Sequence, residues 1–304
     1  MSMKKNPFSL FDFLGYVFPG ALALFFIYFF HELTEQSTID GFRSIIDFAF
    51  QMDPPFSLEN TLLLTILSYV LGHFIAYLSS LTVEQFAIWL YGYPSDFLLE
   101  SSTKWHYWYS SQQRPRIRGI KSFLRCIQFY ILTYFWRVLV GAFLIPLTLG
   151  TLFIANSLGL KRFFVKKLDD SMVDTIKEKC VKLAQYLGYK LKNTETDFHR
   201  VIYHYVYERQ KAHAIKMDNY VALYGFLRAM TFIFNCVFLY LTVVIVRQTT
   251  FDFHASIDWP LLFLLFGVMI ITYVFFMGYM KFSRRFTLES FMCLISDKSY
   301  EVLA

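Results

Sequence analysis

The sequence predicts an all-α integral membrane protein: about four transmembrane helices, one re-entrant or interfacial helical segment, and a small cytoplasmic helical domain. Two observations predict it. Apolar residues make up 56% of 304 residues and charged ones only 17%, with aromatics at 20%, a balance far from that of a water-soluble domain. The apolar residues are also gathered into runs, and a run of about 18 or more with few charges is long enough to cross ~30 Å of hydrocarbon as a helix. A third observation, the loops in which Lys and Arg fall, sets the number of crossings, because these residues stay preferentially on the cytoplasmic side.

Residues 13–30 are the first run. It lacks a small-x-small exit before His31 and Glu32 and reads as a retained span. Residues 61–83, 229–246 and 259–280 are three more. Between the first two, Glu32, Glu35, Asp40, Asp47, Asp53 and Glu59 face a single Arg43, so that loop is expected outside. The loop at 84–126 carries Lys104, Arg114, Arg116, Arg118, Lys121 and Arg125 and is expected inside. In the last hairpin Arg247 stands against Asp252 and Asp258, while Lys281, Arg284 and Arg285 follow the final span. Both termini are thereby expected in the cytoplasm.

The stretch 127–155 breaks this order. It carries Arg137 and is interrupted by Pro146 and Gly150, and proline inside a helix removes a hydrogen bond and kinks or breaks it. A crossing here would strand the lysine-rich region 159–228 outside. Four crossings with a broken, re-entrant or interface-lying pair of helices at 127–155 is therefore the expectation. Five simple crossings is the alternative, since long loops obey the charge rule less strictly.

The chain divides into an N-terminal membrane region (1–158), a cytoplasmic helical element (159–228) and a C-terminal membrane hairpin with a cytoplasmic tail (229–304). After Asp170 and Ser171 an amphipathic helix is predicted, with Met172, Ile176, Ala184 and Leu187 on one face and Gly188 as its stop. Thr194, with Asp197 three residues later, can cap a second helix. That helix is expected to run almost uninterrupted from Glu195 into the span at Ala229, as a stalk. Cys126, Cys180, Cys236 and Cys293 have no CxxC spacing and read as reduced, buried thiols.

Polar groups inside a bilayer are costly unless they pair or face water, so they are the first candidates for function. Thr61, Thr65, Ser68, Gly72 and Ser79 share one stripe of the second span, and Thr231, Asn235 and Thr242 share one in the span at 229–246. Such stripes could line an aqueous path, or serve the close packing that small and hydroxyl residues give membrane helices. His73, flanked by Tyr69, Tyr77 and Ser80, is a further gate candidate, against a neutral ring held by its neighbours. Arg137 reads either as a cation snorkelling to the headgroups or as a gate or ligand contact.

Basic and aromatic residues alternate through Lys104, Trp105, Trp108, Arg114, Arg116, Arg118 and Lys121. That surface suits anionic lipid headgroups, or a nucleotide or single-stranded oligonucleotide, which wants stacking with phosphate neutralisation. Lys166, Lys167, His199 and Arg200 extend the positive surface into the helical element, where lipid is less available. Arg200 with His204, and Arg209 with His213, resemble a compact Arg-His nuclease pair, but with three intervening residues rather than the four to six of the HEPN nucleases. There is no P-loop, GxSxG elbow, HExxH or glycine-rich dinucleotide turn. No enzyme, catalytic residue, metal site or cofactor is expected.

The opening Phe11, Asp12, Phe13, Leu14, Gly15, Tyr16, Val17, Phe18, Pro19 and Gly20, with a basic helical element set between membrane hairpins, resembles multi-span effectors of bacterial antiphage defence. In layout it is most similar to the channel effector of the Hailong system. The resemblance implies a homo-oligomeric channel, with a tetramer among the stoichiometries, in the bacterial inner membrane. It also implies control by a nucleotide-derived ligand from a companion nucleotidyltransferase. A secondary transporter and a non-catalytic membrane scaffold or lipid-binding protein are the alternatives.

Overall fold

A computed structural model describes residues 12–35, 58–99, 120–155, 159, 165–188, 198–251 and 259–297. Of these residues 93% are helical and none lies in a strand. A π-helical turn, Phe13–Val17, leads into α1 (Phe18–Glu35). Helix α2 (Leu58–Ser79) passes through a second π-helical turn, Ser80–Glu84, into α3 (Gln85–Tyr91), and α4 (Pro94–Leu98) follows a turn at Gly92. Next come α5 (Ile120–Phe143), α6 (Ile145–Leu149) and a π-helical turn at Gly150–Ala155. The chain ends in α7 (Asp170–Tyr186), α8 (Phe198–Arg209), α9 (Lys211–Phe251) and α10 (Trp259–Ser296).

Among the described residues four helical stretches are long and apolar enough to cross a bilayer: Phe13–Phe30, Thr61–Leu98, Lys211–Thr249 and Trp259–Ser296. With 41 and 38 residues, α9 and α10 span about 60 Å at ~1.5 Å per residue, twice the thickness of a hydrocarbon layer. They run antiparallel, as the facing pairs Phe234 with Phe275, Tyr224 with Tyr279 and Lys216 with Glu289 show.

Three apolar cores stack along this hairpin. The first holds Val237, Phe238, Leu241, Leu261 and Val268, with Phe26 and Phe30 of α1 against it. The middle and largest gathers Ile75, Phe86, Trp89, Val140, Leu144, Leu147, Ile233 and Phe276. The distal core holds Leu98, Ile176, Leu183, Ile202, Val206, Met217, Phe291 and Leu294, and so draws on all three divisions of the sequence at once. The division placed after residue 228 falls inside α9, and the tail expected after residue 280 is helix as far as Ser296. Residues 85–91 and 94–98 likewise belong to helices with buried side chains rather than to a loop.

The stretch 127–155 is broken, with its two apolar arms bent by 85°. Pro146 has no N–H to give, and its ring crowds the carbonyl four residues earlier, so the helix yields at Leu144. The Phe143 carbonyl is met by Nδ2 of Asn235, which donates to it at 2.9 Å.

The stalk expected to run almost uninterrupted from Glu195 is instead two helices. The helix stops at Arg209, and Gln210 stands between α8 and α9 with its Nε2 donating to the Cys293 carbonyl at 2.8 Å and to Ser296 Oγ at 3.3 Å. Helix α8 instead packs Ile202, Tyr205 and Val206 into the distal core. The proposed cap Thr194 and Asp197 lie outside the described residues. Helix α7 does end at Tyr186, with Gly188 at φ +75°, a left-handed conformation that glycine adopts without strain. Cys180, Cys236 and Cys293 are free thiols, and Cys236 is exposed rather than buried.

Candidate functional site

The polar stripe of α2 divides into two parts. Ser68 and Ser79 are buried, whereas Thr61 and Thr65 are exposed, with the Thr65 hydroxyl donating to the Thr61 carbonyl at 2.8 Å. Around Ser68 the backbones nearly touch. A Cβ on Gly20 would stand 1.7 Å from the Ser68 carbonyl oxygen, and one on Gly72 would stand 1.9 Å from that of Tyr16. This is the close approach that small residues permit between membrane helices, so here the stripe is packing. His73 stacks on Tyr16 at 3.7 Å and meets the edge of Tyr69 at 4.5 Å.

The stripe of α9 is also mostly turned inward. Thr231 and Asn235 are fully buried. Thr231 and Thr242 each donate a hydroxyl to their own helix, to Leu227 and Phe238 respectively, both at 2.8 Å. Thr61 and Thr65 therefore do not share a surface with Ser68, Thr231 and Asn235 within one chain.

Arg137 is 6% exposed, with its guanidinium carbon 5.2 Å from the ring centre of Trp89. It is held inside the protein by a cation–π contact and does not snorkel outward. Sequence reasoning missed a second interior charge. Arg228 on α9 forms an ion pair with Glu84, the last residue of the second π-helical turn, and also reaches the Ala76 carbonyl at 3.5 Å. The only signal for it in the sequence is that opposite charges sit beside the ends of two apolar runs, at 83 and 229. Single-turn π-helices inside α-helices are frequent at functional sites.

At the distal core the basic candidates separate. Lys166 and Lys167 are exposed. The Lys166 carbonyl accepts from Arg284 Nε at 3.2 Å and from its terminal nitrogen at 3.1 Å, and Lys167 Nζ lies 3.3 Å from Asp170. The Arg284 contact brings the Lys166 backbone to α10, a neighbourhood that the sequence does not reveal. Arg200 is exposed on α8. His199 is not a cationic contact: it lies edge-on to Phe286 and Phe291, and burial pushes its imidazole down to about 4. Lys121 falls in α5, in a part whose side chains are not described. Trp105, Trp108, Arg114, Arg116 and Arg118 lie outside the described residues.

Of the two Arg-His spacings, Arg209 and His213 turn to different partners. Arg209 donates to the Tyr186 hydroxyl at 3.3 Å, while His213 Nδ1 is 2.9 Å from Glu289. Lys216 meets the same Glu289 carboxylate at 2.8 and 2.7 Å. Among the described residues, charge joins helices at Arg284 on the Lys166 carbonyl, at the Arg228–Glu84 pair and at Glu289 with His213 and Lys216, while the neutral Asn235 holds the bend. Comparison with protein-family models, with curated proteins and with solved structures gives no match to the chain.

Proposed function

We propose that this chain is the subunit of a homo-oligomeric membrane channel of the antiphage-effector kind. In this reading it lies in a bacterial inner membrane with both termini in the cytoplasm, and it is controlled by an anionic ligand, a nucleotide or a single-stranded oligonucleotide made by a companion nucleotidyltransferase. The observation that carries the reading is the continuity of α9 and α10. These helices run from the distal core into the apolar layer, and there they hold the broken segment, through Asn235 on the Phe143 carbonyl and through Gly150 against Tyr273, whose ring a Cβ would meet at 2.5 Å.

The ligand would sit near Lys166, Lys167, Arg200, Arg284 and Arg285, where several cations can share its phosphate charge. A ligand that favours one setting of the distal helices would shift the hairpin, and with it the bend beside Arg137, only by as much as its affinities for the two settings differ. Thr61 and Thr65, exposed in the single chain, would line a path only against neighbouring copies. No catalytic step is part of this mechanism.

A second reading, a lipid-binding scaffold, draws on the position of Lys281, Arg284 and Arg285 directly after the apolar run of α10, the depth at which anionic headgroups lie. Ion flux through purified protein in liposomes separates the two. Flux is expected to respond to oligonucleotides or cyclic nucleotides, and to lose that response when Lys166, Lys167 and Arg200 are neutralised together. Absence of flux under every ligand and voltage, from protein that remains folded and oligomeric, would leave the scaffold.

A further inference from the structure

Glu289 and Cys293 stand four residues apart on α10, one above the other on the same face, and His213 of α9 meets them across the hairpin. A ring nitrogen of His213, a carboxylate oxygen of Glu289 and Sγ of Cys293 all lie within 4.8 Å of one another, with Nδ1 of His213 2.9 Å from Glu289. We propose that these three side chains form a site for a zinc-class divalent metal ion, with water in the fourth position. The donor set selects the metal. Imidazole and thiolate are borderline-to-soft ligands suited to Zn²⁺ and Co²⁺, whereas Mg²⁺ and Ca²⁺ want oxygen throughout. A neutral imidazole, a carboxylate and a thiolate together balance a double positive charge, and binding releases the thiol proton to solvent.

The surroundings fix the least mobile ligand. The Cys293 backbone carbonyl accepts from Gln210 Nε2 at 2.8 Å and from Ser296 Oγ at 3.0 Å, and the His213 backbone N–H donates to the Gln210 backbone carbonyl at 2.9 Å. Cys293 is buried and His213 half-exposed, so the ion would enter past the imidazole. The site adjoins Gln210, where α8 gives way to α9, and a bound ion would pin α9 to α10 beside that break. The argument is independent of the channel reading.

Lys216 supplies the control. Its ammonium occupies the Glu289 carboxylate, but the side chain is half-exposed on a flexible stem, so an arriving metal displaces it. Removing the lysine therefore tightens metal binding, by about fivefold for a half-exposed ion pair that no longer has to be broken. A purely structural role for Glu289 predicts no such gain.

The test uses the tag-free full-length chain in detergent, stripped with chelator and titrated with Co²⁺. Wild type is expected to develop a thiolate-to-cobalt charge-transfer absorption in the near ultraviolet, and Zn²⁺ is expected to abolish it by competition. The band is expected to vanish in Cys293→Ser and in the surface variant His213→Ala, with helix content and oligomer size unchanged, and Lys216→Ala should reach half-saturation at lower metal. No band in wild type, an equal band in Cys293→Ser, or weaker binding in Lys216→Ala would overturn the assignment.

Discussion

His199 illustrates how a single side chain is reassigned by its neighbours. Next to Arg200 in a polar helix it reads as part of a solvated, cationic face, yet Phe286 and Phe291, far away in the sequence, lie edge-on to its ring. Its Nε2 is buried and finds no hydrogen-bond partner among the described residues. Burial favours the neutral ring and holds its pKa at about 4, below the ~6.5 of the unfolded chain. The unfolded state therefore takes up a proton first as the pH falls. This contribution to stability is complete above about pH 6.5 and declines toward pH 4, by up to ~3 kcal/mol. Denaturation midpoints measured between pH 4 and 7 are expected to fall more steeply in wild type than in His199→Phe; parallel slopes would contradict a buried neutral imidazole.

At the scale of elements, the broken helix shows what a sequence carries and what it withholds. Pro146 announces the break, because the missing N–H is local information. The group that makes the break tolerable is not local: Asn235 lies on another helix, and in the sequence it is indistinguishable from Thr231 and Thr242 on the same stripe. The structure separates them by partner, since both threonines bond within their own helix while Asn235 bonds the freed Phe143 carbonyl. Asn235→Ala leaves that carbonyl unmet in an apolar setting and is expected to cost about 1–3 kcal/mol. Thr242→Val is expected to stay within ~0.5 kcal/mol. Thermal unfolding in detergent checks the difference, and equal losses would mean that Asn235 does not hold the bend. The small-residue stripe of α2 was legible as packing or pore; only the distances at Gly20 and Gly72 decide for packing around Ser68.

For the whole molecule, the four apolar helices were readable from hydropathy because bilayer thickness fixes their length without reference to any partner. The distal core was not readable, since Leu98, Ile176, Ile202, Met217 and Phe291 come from five separate helices and none of those helices states which others it meets. The sequence did suggest a helix leading into the run at 229, which α9 supplies from Lys211, but not that α10 continues as helix to Ser296 to carry that core. In the proposed function this core lies in the cytoplasm, together with both termini, and the broken segment does not cross. Thiol labelling of intact cells tests that directly, with single cysteines introduced at Asp252 and at Lys177, an exposed position on α7, in a background without native cysteines. A membrane-impermeant reagent is expected to label position 252 in intact cells and position 177 only after permeabilisation. Labelling of position 177 from outside would contradict the account and make the segment around Leu144 a fifth crossing.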